Sequence, residues 1–262
     1  MNRKIKTKIS PTSGAQKSEW LAENLRLTAF TKKIKEPEKW WDLIISESPS
    51  QRITHPFHSE NGRFKKGLVQ LNIQAMQPEL QKIDWLYIPE PDSKNLPNVG
   101  SLDEAINDFS TVMKKWLNIA DIQINRLAFG AVLIHPVENI VDGYNYISKY
   151  LNDIKLDPIN SADFLYQINR PRLSKIKGIG DIKINRISKW MVAVMQRIEI
   201  TFNGQILSTM PVEKEPQTAC RLEIDINTGP EYKGELPNNK TKSLFDYLIT
   251  LGLEIAEKGD VK

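Results

Sequence analysis

Three copies of the triplet Ile-Asn-Arg stand out in the sequence: Ile124-Asn125-Arg126, Ile168-Asn169-Arg170 and Ile184-Asn185-Arg186, with Arg172 close behind the second. In a strand, residues two apart share a face, so each arginine should project on the side of its own isoleucine. A guanidinium in that apolar phase needs a partner, because an unpaired buried charge is costly. Arg126, Arg170, Arg172 and Arg186 are therefore the candidates for one basic sheet face that contacts phosphate or carboxylate through planar, bidentate hydrogen bonds. The bland alternative has them at strand ends, reaching water or pairing with Glu223 and Asp225.

Glu223 and Asp225 lie two apart on one strand face, with Asn227 beyond. Paired carboxylates at that spacing can hold a divalent cation, so a metal-dependent enzyme using them is one alternative function, and a structural subunit of a protein complex is the other. No downstream Glu-x-Lys follows, and a cross-strand ion pair is the simpler reading. His55-Pro56-Phe57-His58 is not a metalloprotease helix, since Pro56 breaks it and no glutamate lies between the histidines. The run Leu173 to Gly180 has the Gly-apolar-Gly of a DNA-binding helix-hairpin-helix. Pro171 stands where the first helix should run, however, and a glycine hairpin between strands is the competing reading. Cys220 has no neighbouring histidine and reads as inert core. No Walker loop, no G-x-G-x-x-G after a strand and no G-x-S-x-G occurs. No metal and no cofactor is therefore expected, catalytic residues stay unassigned, and the leading expectation is a non-enzymatic binding protein.

The 262 residues fit one large domain or two small ones. Lys and Arg number 36 against 32 Asp and Glu, for a net charge of +4. Residues 1 to 17 hold Arg3, Lys4, Lys6, Lys8 and Lys17 and no acid, so the rest of the chain is close to neutral. That start reads as a basic disordered tail, able to attract phosphate weakly through counterion release. One cysteine, no apolar stretch behind the first charges and no long apolar run point to a cytoplasmic protein without a membrane partner. Nucleic acid, a protein partner and a second copy of the chain all stay open as partners.

The elements that must position these residues can be read from periodicity. Alternation marks strands over Asn24–Thr31, Gly67–Ala75, Ile83–Tyr87, Ile122–Ile134, Phe164–Ile168, 186–202 and Leu222–Ile226. Pro37 opens a short helix through Trp40 and Trp41. Ser101-x-x-Glu104 is a capping box before a helical stripe ending at Trp116 and Leu117. Further stripes run from Ile140 to Ile154 and from Leu244 to Ile255. Asn61-Gly62 and Asn203-Gly204 are hairpin-turn signals. The expected fold is α+β: two pseudo-repeated β-α-β-β-β-α halves, residues 18–120 and 121–262, forming a mostly antiparallel sheet with helices on one face. One continuous sheet without a repeat is the competing reading.

Short pieces of this text carry a resemblance: Leu68-Val69-Gln70-Leu71-Asn72-Ile73-Gln74, then Lys82-Ile83-Asp84-Trp85, then Leu222-Glu223-Ile224-Asp225 before a closing helix. They resemble a sporadically distributed, uncharacterised bacterial protein family of similar length. No activity or site transfers with that resemblance. Patchy distribution is typical of mobile and defence loci, so what the resemblance implies is a role linked to antiviral defence.

Overall fold

The computed structural model describes residues 19–77, 79–91, 96–180, 182–196, 198–202, 207–211 and 216–261. The basic tail of residues 1–17 and the turn signal Asn203-Gly204 lie outside them. The period-two stretches become strands: β1 (Leu21–Thr31), β2 (Gln51–Ile53), β3 (His58–Phe64), β4 (Gly67–Gln77), β5 (Leu80–Ile88), β6 (Ile124–Val137), β7 (Leu165–Asn169), β8 (Arg172–Leu173), β9 (Lys183–Met195), β10 (Ile198–Phe202), β11 (Leu207–Pro211) and β12 (Gln217–Thr228). The helices are α1 (Trp40–Ile44), α2 (Leu102–Ile119), α3 (Ile140–Ser148) and α4 (Thr241–Lys258). The fold is α+β, with an antiparallel sheet in the order β2-β3-β4-β5-β1-β6-β12-β9-β7, β8 pairing β9, and β10-β11 forming a separate ribbon. β1 and β6 pair from Leu21↔Ile134 to Thr31↔Ile124, so one sheet runs through the expected boundary near residue 120.

The helices share one face of the sheet. Odd-numbered residues of β1, β4 and β5 (Leu25, Leu27, Val69, Leu71, Ile83, Trp85) are buried under α1 and α2. Trp116 of α2 meets Trp85 at 6.1 Å and Trp40 at 5.5 Å between ring centroids. On the other wing, Phe129 of β6 meets Phe245 of α4 at 6.2 Å, and Cys220 of β12 donates to the Gly143 carbonyl of α3. These rings and aliphatic side chains form one continuous core between sheet and helices.

Several local expectations are corrected. Asn61 and Gly62 do not turn; they lie inside β3, and the chain reverses at Lys65 and Lys66 instead. The glycine is there for packing, since a Cβ at Gly62 would stand 2.9 Å from the Trp41 ring. The capped helix forms, but not its capping box: Ser101 makes no side-chain cap, and Glu104 pairs with Lys66 at 2.8 Å. The stripe from Ile140 to Ile154 is helical only to Ser148. Beyond it the chain tightens to three-residue turns, with Tyr150 N–H donating to the Ile147 carbonyl. The long strand 186–202 is broken into β9 and β10, and four strands rather than three separate α1 from α2.

The Tyr150 carbonyl also accepts from Asp260 N–H at 3.0 Å, which docks the end of the chain beside α3. Gly259 makes this approach at φ +79°, and a Cβ there would lie 2.0 Å from that carbonyl oxygen. Its backbone region is close to glycine-only, so Gly259→Ala should cost at least about 1–3 kcal/mol. A melting temperature equal to that of the unaltered protein would show that the docking is dispensable.

Candidate functional site

The repeated triplets sort their residues by face. In β7 and β9 the Ile and Arg positions turn toward the helices and the asparagines turn away. Arg170 makes a two-pronged contact with Asp260, at 2.5 and 2.7 Å. Arg186, only 1% exposed, donates to Glu254 of α4 at 3.1 Å and to the Val261 carbonyl at 3.3 Å. Arg172 donates to the same Glu254 at 2.7 Å. Burial, and then the neighbouring Arg172, lower the pKa of Arg186.

Three of the four candidate arginines are thus brought together, but on the helix side, where they clamp the end of α4. The expectation that Arg126, Arg170, Arg172 and Arg186 share one basic face is corrected. The phase rule itself holds for Arg170 and Arg186; their partners are carboxylates of this chain. Arg126 departs from the rule because the β1–β6 register slips between Phe30↔Arg126 and Thr31↔Ile124. This bulge puts Ile124 in the core and Arg126 on the opposite face, over the Phe30 ring at 5.0 Å.

The Arg170 contact has a consequence for acid stability. Its hydrogen bonds hold the Asp260 carboxyl below the usual carboxylate range, against the opposing effect of burial. A depressed folded pKa adds stability that is complete above the unfolded value, about 4, and is lost as pH falls through the folded value. Asp260→Asn should therefore flatten the loss of stability between about pH 5 and pH 2. Urea unfolding at stepped pH checks this; unchanged acid behaviour would contradict it.

The other face of the sheet carries no helix among the described residues. Alternation and register place there Arg63, Lys82, Arg126, Lys183 and Lys189, together with Arg26 and Arg221. The carboxylates are fewer, and each is held. Asp84 pairs with Lys82 at 2.7 Å, Asp225 with Arg26 at 3.2 Å and Glu223 with Lys189 at 3.4 Å, while Glu23 lies 3.4 Å from Arg221. Leu96 packs with Ile134 and Ala219 over one end of this face.

Amides lie between some of these charges, and apolar side chains such as Leu86, Val132, Ile187 and Met191 between others. Arg186 N–H donates to Asn169 Oδ1, Asn169 Nδ2 to Asn185 Oδ1, Asn185 Nδ2 to Asn227 Oδ1 and Asn227 Nδ2 to Asp225 Oδ1, at 2.7–3.1 Å. Arg26 donates to the remaining Asp225 oxygen. The donors from both sides converge on Asp225, and these hydrogen bonds link β7, β9, β12 and β1. On the other wing Ser59 and Gln70 both donate to Asn72 Oδ1, at 2.8 and 3.2 Å.

Between the wings Gly130 leaves a shallow depression of about 190 Å³, lined by Asn24, Arg26, Lys189, Glu223 and Asp225 among others. The Arg26 guanidinium lies across the gap, 3.2 Å from where a Gly130 Cβ would stand. The asparagines were legible in the sequence as the middle letter of the repeated triplet, opposite in phase to the arginines that drew attention.

No protein-family model and no curated protein matches the chain. The site must be argued from its own chemistry.

That chemistry does not favour a metal. Glu223 and Asp225 share a face as expected, but their oxygens are engaged by cations and by Asn227. Among the described residues no group of three or more His, Cys, Asp or Glu side chains is placed to hold a metal ion. His58 instead contacts the fully buried Glu60 at 2.8 Å, with Arg52 on the same carboxylate. Burial pushes the Cys220 thiol up to about 12, which leaves it a protonated core residue. Leu173 to Gly180 forms no helix; Gly178 and Gly180, both at positive φ, carry the connection from β8 to β9. No helix among the described residues is long and apolar enough to cross a membrane.

Proposed function

We propose that this chain is a non-enzymatic binding protein whose helix-free sheet face engages nucleic acid. The observation that carries the reading is the make-up of that face, where cations outnumber carboxylates and hydrogen-bonded amides lie among them. The contact residues are then Arg26, Arg126 and Lys189, while Arg170, Arg172 and Arg186 hold α4. The tail adds unspecific attraction.

We read the strand order as two related halves. The first strand of each half (β1, β6) lies at the centre, the last (β5, β12) lies beside it, and the middle strands lie outside. That order supports a duplicated architecture presenting one long face. A cytoplasmic setting, on the evidence of the single Cys220, and a link to a defence or mobile locus, on the resemblance, belong to the same proposal.

The test is fluorescence-polarisation binding of the full chain to mixed-sequence single- and double-stranded oligonucleotides across a salt series. Each phosphate contact contributes about 0.9 to the slope of log affinity against log salt. Arg126→Gln combined with Lys189→Gln should weaken binding and reduce that slope by about 2, because both positions are partly exposed. No binding by the unaltered protein at low salt would end this reading.

A further inference from the structure

We propose that a second copy of this chain adds to the outer edge of β7, joining two sheets about a twofold axis at Gln167. The proposal stands independently of the nucleic-acid reading above. β7 and β8 form one edge in a single register against β9, from Leu165↔Met191 through Asn169↔Ile187 to Arg172↔Ile184 and Leu173↔Lys183. Arg170 N–H donates to the Arg186 carbonyl at 3.0 Å, and Ser174 N–H to the Ile182 carbonyl at 2.8 Å. Even-numbered residues therefore spend their backbone groups on β9, while Leu165, Gln167, Asn169, Pro171 and Leu173 turn theirs outward. Among the described residues, no backbone hydrogen bond from another segment meets those outward groups.

Sheet edges are commonly guarded by charge, proline or shortness. The far end of this sheet is guarded, since β2 has three residues with Arg52 in the middle. Pro171 guards the β8 part of the near end, because it faces outward with no N–H to offer. Leu165–Asn169 has neither charge nor proline. The open ladder is thus confined to five residues centred on Gln167.

That segment fits itself. In an antiparallel pair centred on Gln167, Leu165 stands opposite Asn169 of the second copy, and Tyr166 opposite its Ile168. The outward residues would exchange about six backbone hydrogen bonds. The two Tyr–Ile contacts fall at the closer, non-hydrogen-bonded positions, where an aromatic and a β-branched side chain stabilise each other. Leu165, 56% exposed in the single chain, gains cover. The flanks match in charge: Asp163 precedes the segment and Arg170 and Arg172 follow it, so antiparallel pairing brings unlike ends together. One open edge per chain closes with one partner, giving a dimer rather than a fibre. The axis is perpendicular to the sheet, so both helix-free faces lie on the same side. The contact is smaller than the roughly 800 Å² per partner of a standard interface, so a dissociation constant on the order of 10–100 μM is expected.

Sedimentation equilibrium of the full chain from about 1 μM to about 1 mM tests this. The unaltered chain should pass from monomer to dimer and go no further. Gln167→Pro follows Pro171 in phase and removes no hydrogen bond within the chain, so it should abolish the dimer while the melting transition persists. Gln167→Lys and Gln167→Glu, at an exposed position, each set like charges opposite one another across the axis. Each alone should dimerise at least about fivefold more weakly, and an equal mixture of the two at least as tightly as the unaltered chain. The charge variants carry the test if Gln167→Pro fails to fold. A chain that stays monomeric throughout would overturn the inference, and so would larger species. Charge variants that each dimerise as tightly as the unaltered chain would overturn it too, because the axis would then lie elsewhere.

Discussion

Trp116→Ala is expected to cost about 3–5 kcal/mol. Trp116 is fully buried on α2, edge-on to both Trp40 and Trp85. It therefore ties the first wing of the sheet to α1 and α2 together. Truncation removes two aromatic contacts and leaves a cavity that the antiparallel sheet beneath cannot close by moving a single side chain. Domains of this kind hold only about 5–15 kcal/mol in total, so the variant should be poorly soluble and unfold at a much lower denaturant midpoint. A midpoint equal to that of the unaltered protein would mean that the Trp40–Trp85–Trp116 cluster does not anchor the wing.

The second large effect is expected at the arginine clamp. Glu254→Gln leaves the buried Arg186 beside Arg172 without the carboxylate they share. Breaking a buried pair from one side costs about 3–5 kcal/mol; Glu254 is itself 24% exposed, so about 2–4 kcal/mol is expected here. Replacing both sides with apolar residues of similar size, Arg186→Met with Glu254→Leu, should recover most of that loss, because the uncompensated charge is gone. Denaturant unfolding of the three proteins checks this. Equal stability for Glu254→Gln and the unaltered protein would show that the guanidinium is solvated and that the clamp is not a stabilising feature. A fall in oligonucleotide affinity for the double variant, with its stability recovered, would return Arg186 to the binding surface.

The same residues show what the sequence could and could not reveal. Alternation located β1, β4, β5, β6 and β12 because each has one face on the core, and a period of two survives wherever burial is one-sided. The stripe ending at Trp116 located α2 for the same reason. What failed depended on partners distant in sequence. Asn61-Gly62 has the letters of a turn, yet Gly62 is required by the Trp41 ring, 21 residues away in the chain. Helix α3 stops short of its apolar stripe as the chain end docks on Tyr150. The triplet repeat was legible, and its phase rule held in β7 and β9. It could not say which face was covered by helices, so attention fell on the arginines rather than on the asparagines between them. The bulge beside Asn125, which sends Arg126 to the open face, leaves no mark in the letters.

The central claim is that the helix-free face is where the ligand sits. The most direct measurement is a titration of the isotopically labelled full chain with a mixed-sequence DNA duplex, following the side-chain amide signals of asparagine and glutamine. Gln70, Asn72, Asn185 and Asn227 should shift together and saturate together, while Asn107, exposed on α2 on the covered side of the sheet, stays in place. Shifts confined to the helix side, or to backbone signals of residues 1–17 with the face amides unmoved, would contradict it.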